Sequence, residues 1–224
     1  LEFRRVLFRS PATNKIRSSN SMKKIIVSSM VLMFAFAGVV HAAGNAEAGK
    51  TKAAACGGCH GLDGNSLVPT FPKLAGQGEK YIAKQVMDFK ANTTRKNEMM
   101  LGMAAALSEE DAADIGAFYA TQKLAGPAPA DESKLAMGKQ IYKGGNLTEG
   151  IPACQACHGP KGAGIAGSGY PQVGGQYPDY TLAQLKAFRD GSRANDDKEL
   201  MRAIVKDMSD EQLTAVANYI ATLH

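Results

Sequence analysis

The chain of 224 residues carries 26 Lys+Arg against 21 Asp+Glu, a formal charge of +5, but the excess sits at its start. Seven of the basic side chains and one of the acidic ones lie within residues 1–42, so residues 43–224 hold nineteen basic and twenty acidic groups and offer no basic patch or stripe for a nucleic acid. All four cysteines belong to two copies of one five-residue pattern, which leaves no thiol for a separate disulfide framework.

Met22-Lys23-Lys24, the apolar run from Ile25 to Val40 and the small-residue site Val40-His41-Ala42 together predict a secretory signal peptide over residues 22–42. The run is short for a membrane span. The arginine-rich stretch 1–21, upstream of Met22, reads as vector-derived or out-of-frame sequence. The mature chain is then expected to begin at Ala43, in the periplasm.

From Ala46 to Ala55 a short amphipathic stretch leads into Cys56-Gly57-Gly58-Cys59-His60. Pro72 to Gln77 follows, then a helical pattern over Glu79–Ala91 with Tyr81, Val86 and Phe89 on one side, a cluster of Met99, Met100 and Met103, and a last helix opened by Ser108-Glu109-Glu110-Asp111. Ile115, Phe118 and Tyr119 form its buried stripe. Gly126-Pro127-Ala128-Pro129-Ala130 has no apolar periodicity and reads as a semi-rigid linker. The series then recurs: Ser133–Lys143, Cys154-Gln155-Ala156-Cys157-His158, Pro171 to Gln176, Asp179–Arg189, Met201, and a helix opened by Ser209-Asp210-Glu211-Gln212 with Val216, Tyr219 and Ile220. His60 and His158 are 98 residues apart, Tyr81, Gln85 and Phe89 precede Tyr180, Gln184 and Phe188 by 99, and Met100 precedes Met201 by 101. This is a tandem duplication. It predicts two all-α domains, 43–125 and 133–224, joined by residues 126–132.

C-x-x-C-H is the pattern of c-type haem attachment. Residues three apart on a helix face one way, so both thiols reach one porphyrin as thioethers and the adjacent histidine falls beneath the iron. A shared zinc site would need the two pairs to meet, whereas each has its own histidine within its own repeat. A thioredoxin-like pair would need a βαβ setting that the sequence lacks. Two covalent haem c groups are therefore expected, on Cys56, Cys59 and His60 and on Cys154, Cys157 and His158. Beyond residue 42 the remaining histidine is His224, so a methionine is the candidate for the distal ligand. In the first half Met99, Met100 and Met103 compete, in the second Met201 and Met208. Met100 lies seven residues before Leu107 and Met201 seven before Met208, while Met103 aligns with Ile204, so Met100 and Met201 are the expected pair. A ligating histidine normally donates its other ring N–H to an acceptor. The carbonyls of Pro72 and Pro171, twelve and thirteen residues after the two histidines, are placed for that role.

Two C-x-x-C-H motifs, each followed by P-x-[LV]-x-G-Q, a helix and a methionine before a Ser-capped last helix, resemble the di-haem cytochromes c4, built from two class I cytochrome c domains. The resemblance spans 43–224. It implies an electron carrier without catalysis of its own, loosely associated with the membrane in some members, passing single electrons from a quinol–cytochrome c reductase-type donor toward a terminal oxidase-type acceptor. The opposite charge of the two domains found in some members is not visible, since residues 43–125 carry nine basic and nine acidic groups. Two other functions fit the same motifs. One is the cytochrome subunit of a flavoenzyme such as a sulfide dehydrogenase. The other is a di-haem peroxidase, which would need one iron without its methionine and distal acid–base residues.

Overall fold

Residues 43–224 are described by the computed structural model; the leader and signal-peptide readings fall on residues 1–42, outside them. The first half contains helices α1 (Ala46–Lys52), α2 (Gly57–His60), α3 (Glu79–Ala91), α4 (Glu98–Ala104) and α5 (Glu109–Thr121). The second contains α6 (Leu135–Gly144), α7 (Gln155–His158), α8 (Pro178–Asp190), α9 (Leu200–Val205) and α10 (Asp210–Ala221). Among the described residues β pairing is confined to isolated bridges, so the all-α duplication expected from the sequence is the fold.

The helix ends follow from the residues placed there. Asn45 opens α1 by accepting from the N–H groups of Glu47 and Ala48, and Asn97 opens α4 by accepting from Met100. Ser108 with Asp111 and Ser209 with Gln212 close full capping boxes on α5 and α10, so aspartate at the third position serves as well as the longer glutamine. Pro178 takes the first position of α8, where its missing N–H costs nothing, and Gly191 ends that helix in the left-handed region.

In each half the first and last helices cross at a glycine. A Cβ on Gly49 of α1 would lie 1.9 Å from the Asp114 carbonyl oxygen of α5, and one on Gly138 of α6 would lie 2.1 Å from that of Ala215 in α10. The first core gathers Ala53, Ile82, Ile115, Phe118 and Tyr119, and the second, larger one includes Tyr142, Leu185, Met208, Leu213 and Val216. Cys56 follows Gly49 by seven residues but Cys154 follows Gly138 by sixteen. The extra chain forms a loop pinned by reciprocal backbone bonds between Asn146 and Ile151, which returns the chain to the same point. The linker is less free than its composition predicts: Ala128 is buried against Tyr177 and Ala221, and its N–H donates to the Ala221 carbonyl.

Candidate functional site

Each C-x-x-C-H motif is one helical turn. The His60 N–H donates to Cys56 O, the His158 N–H to Cys154 O, and Gly61 and Gly159, at φ 81° and 78°, end the turns in a conformation that side chains resist. The next loop is tied back in the same way in both halves. Gly64 O accepts from the N–H groups of Leu74 and Ala75, and Gly162 O from those of Val173 and Gly174. That tie brings the proline segments over the histidines. Nδ1 of His60 lies 2.8 Å from the Pro72 carbonyl oxygen and Nδ1 of His158 3.0 Å from that of Pro171. A carbonyl only accepts, so Nδ1 carries the proton and Nε2 keeps its lone pair for a metal. Burial pushes both imidazole pKa values down, partly opposed by these bonds, which keeps the rings neutral.

The thiols sit in apolar surroundings. Cys56 packs on the first core with Leu74, Val86 and Leu107, and Cys154 on the second with Val173, Met201 and Ile204. Burial pushes the Cys154 thiol up to about 11 and raises that of Cys56, which disfavours the thiolates that zinc demands. Among the described residues no three His, Cys, Asp or Glu side chains converge on a common metal point. Two unbridged cysteines on one helical turn, next to a histidine whose Nε2 is free, fit a thioether-bound haem. The Tyr119 hydroxyl, wholly buried beside the Cys56 thiol and without a nitrogen or oxygen partner among the described residues, is a further polar group facing the attachment point.

The methionines separate by environment. Met99 and Met103 are 58% and 44% exposed, while Met100 between them is half-buried. Met201 packs half-buried on the second core, and Met208, 4% exposed, is part of that core. Met201 is held by its loop. Lys198 and Glu199 adopt positive φ ahead of α9, and Asp196 accepts from both the backbone N–H and the guanidinium of Arg202.

Sequence reasoning missed what joins the halves. Tyr81, Gln85 and Phe89, and their repeats Tyr180, Gln184 and Phe188, read as helix faces, yet they organise a buried seam. Arg95 stacks on Phe89, donates to Gln85, and reaches across to the Tyr180 hydroxyl at 3.0 Å. Arg193 stacks on Phe188, donates to Gln184, and reaches across to the Tyr81 hydroxyl at 3.1 Å. Both guanidiniums are buried, and neither takes part in an ion pair among the described residues. Beside them two glutamines bracket the opposite backbone. Gln77 accepts from the Gln172 N–H at 2.9 Å and donates to its carbonyl at 2.8 Å, while Gln176 does the same at Lys73, each at 3.0 Å. The repeat itself was the available signal, since all of these side chains recur at one offset or close to it.

The cytochrome c family profile matches residues 46–123 and 135–224. The chain is 46% identical over 204 residues to a cytochrome c4 of Pseudomonas aeruginosa, covering 91% of this chain and all of that protein. Its fold matches the crystal structure of reduced recombinant cytochrome c4 from Pseudomonas stutzeri with a TM-score of 0.78 at 45% identity, covering 81% of this chain and all of the other. It is also 37% identical over 205 residues to a thiosulfate dehydrogenase electron acceptor of Thiomonas intermedia, covering 89% of this chain and 94% of that one.

Proposed function

The chain belongs to the cytochrome c family, as a two-domain electron carrier of the cytochrome c4 type with two covalently bound haem c groups, and on that premise we propose that His60 with Met100 and His158 with Met201 close both irons. The observation that carries the reading is that the aligned position holds a half-buried methionine in each half, Met99 and Met103 beside it being exposed and Met208 spent as core, while Met87, also half-buried, lies in α3 where the repeat has Lys186. A bound haem supplies the Fe(III)/Fe(II) couple. The chain's own residues do the rest. Cys56, Cys59, Cys154 and Cys157 would hold the macrocycles, Pro72 and Pro171 fix the histidine tautomers, and the apolar residues around Cys56 and Cys154 would limit water at the metal. Arg95 and Arg193, buried and without a carboxylate partner among the described residues, are the residues we assign to haem propionates.

If Met100 and Met201 bind as proposed, neither iron would keep an open site for peroxide or substrate, which favours carriage over catalysis. We place the protein in the periplasm, exported by residues 22–42, carrying electrons from a quinol–cytochrome c reductase-type donor toward a terminal oxidase. The resemblance to a thiosulfate dehydrogenase electron acceptor favours a second donor, a periplasmic thiosulfate-oxidising enzyme. Visible spectra of the oxidised and reduced protein, before and after carbon monoxide and peroxide, test the ligation. Two irons with a sulfur-to-ferric band, inert to both reagents, are expected, and carbon monoxide binding at either would overturn it. Stopped-flow reduction by a quinol–cytochrome c reductase and by a thiosulfate dehydrogenase decides between the donors, because the physiological one reduces the protein at least tenfold faster.

A further inference from the structure

One peptide group in each half makes two hydrogen bonds that point in opposite directions across the molecule. The Pro72–Lys73 peptide accepts through its carbonyl from His60 Nδ1 at 2.8 Å, and donates through its N–H to Oε1 of Gln176, from the other domain, at 3.0 Å. The Pro171–Gln172 peptide accepts from His158 Nδ1 at 3.0 Å and donates to Oε1 of Gln77 at 2.9 Å. The glutamines are held in turn. Each is more than nine-tenths buried, each Oε1 also accepts from the next backbone N–H, of Gly78 or Tyr177, and each Nε2 donates to the carbonyl of the bracketed residue. Their amide orientation follows from these partners, since Oε1 meets only donors and Nε2 only a carbonyl.

We propose that Gln77 and Gln176 are crossed positioning residues, each setting the proximal histidine of the opposite domain's haem through one shared peptide group. Hydrogen bonds in series polarise one another, so an acceptor on the peptide N–H makes the carbonyl a better acceptor for the histidine Nδ1–H. A stronger bond at Nδ1 raises the basicity of the ring at Nε2, which favours ferric iron and lowers the potential. Each domain thereby holds down the potential of the other's haem, and a strain on the seam at one end is felt at the ligand of the other.

The inference rests on the histidine ligation proposed above, which the spectra of the unsubstituted protein decide independently. The test is a redox titration of the intact di-haem protein carrying Gln77→Met or Gln176→Met, with each haem assigned by NMR from the thioether cysteine it joins. Gln77→Met is expected to raise the potential of the haem on Cys154 and Cys157 by about threefold in its ferric-to-ferrous ratio, roughly 28 mV at 59 mV per decade, and to leave the other unmoved. Gln176→Met is expected to do the converse. A shift confined to the substituted domain's own haem, equal shifts in both, or none would overturn the proposal. Should the variants not assemble, the reduced unsubstituted protein is tested for scalar coupling across the hydrogen bonds, from the Gln172 and Lys73 amide nitrogens to the side-chain carbonyl carbons of Gln77 and Gln176. Coupling in both pairs supports the chain of bonds, and its absence in either removes it.

Discussion

Met100 stands between two methionines that solvent already reaches, and this difference makes a sharp prediction. Met100→Ala should remove the sulfur-to-ferric band from one haem and let that iron bind carbon monoxide, Met201→Ala should do so at the other, and Met99→Ala or Met103→Ala should leave both unchanged. Difference spectra before and after carbon monoxide read all four. The register of the repeat makes this choice legible, because Met103 aligns with isoleucine and Met208 with leucine. It could not reveal what the tyrosines do. Tyr119 of α5 and Tyr142 of α6 both lie wholly buried beside the first cysteine of a motif, yet Tyr119 aligns with Ile220 and Tyr142 with Ala53. One bulky ring fills the same space from opposite helices, an exchange that appears only when α1 packs on α5 and α6 on α10. The exchange also alters chemistry, since the Tyr142 hydroxyl donates to Gly159 O at 2.6 Å whereas that of Tyr119 has no nitrogen or oxygen partner among the described residues.

The crossing of the first and last helices depends on two glycines and one buried carboxylate. Gly138→Ala would put a methyl group 2.1 Å from a backbone oxygen and 2.7 Å from Tyr219 Cβ, neither of which can swing away. The helices must separate, at a cost of about 3 kcal/mol or more, the upper end of overpacking. Gly144, at the C-terminal end of the same helix, has nothing among the described residues within 4 Å of a built Cβ, so Gly144→Ala should be neutral or stabilise by up to about 1 kcal/mol. Urea unfolding of the two variants compares them directly. In the first half Asp114 accepts from the Asn45 N–H and from Lys52 Nζ, both at 2.6 Å, and Lys52 also pairs with Asp111 at 2.7 Å. The bonds from Lys52, then those from Asn45 or Ser108, hold both carboxyls below the usual range. Their folded pKa values lie below the unfolded value near 3.9, so the unfolded chain binds the extra protons. The stabilisation is thus complete above about pH 4 and is lost as pH falls through the folded values. Thermal melts from pH 6 down to pH 2 should show a steep decline below pH 4, and Asp114→Asn should flatten it. The glycines are visible in the sequence as small residues where helices could approach, but Lys52, Asp111 and Asp114 share a network only because the crossing angle brings α1 alongside α5.

Two cytochrome domains joined by a short linker would be expected to unfold separately unless the contact between them is strong, and here the contact is built from buried polar groups rather than from a shared apolar core. Arg193 alone serves the Tyr81 hydroxyl together with Gln85, Gln184 and Asn195, and Asn195 in turn donates to Gln85 and Asp88 across the seam. Lys84 adds a bond in the other direction, donating both to Asp88 and to the Asn195 carbonyl. Arg193→Ala would leave the buried Asn195 Oδ1 and the half-buried Gln184 and Tyr81 oxygens without this donor, while Gln85 keeps its bonds from Arg95 and Asn195, at about 1–3 kcal/mol for each that finds no new partner. The loss falls on the seam and on the propionate contact proposed for Arg193, not on either apolar core, so its signature is a change in cooperativity. The unsubstituted protein is expected to melt in one transition, and Arg193→Ala in two, followed by calorimetry and by the absorbance of each haem. One transition merely shifted to lower temperature would mean that the cores, or the linker packed on Tyr177 and Ala221, couple the halves instead. None of this coupling is legible from one half at a time. Tyr81 and Tyr180 read as the apolar side of a helix, and Arg95 and Arg193 carry no pattern of their own, because the partner that satisfies each lies about a hundred residues away in the other copy. A duplicated sequence states each domain's core twice, but the surface between the copies is specified only by pairs that cross the repeat.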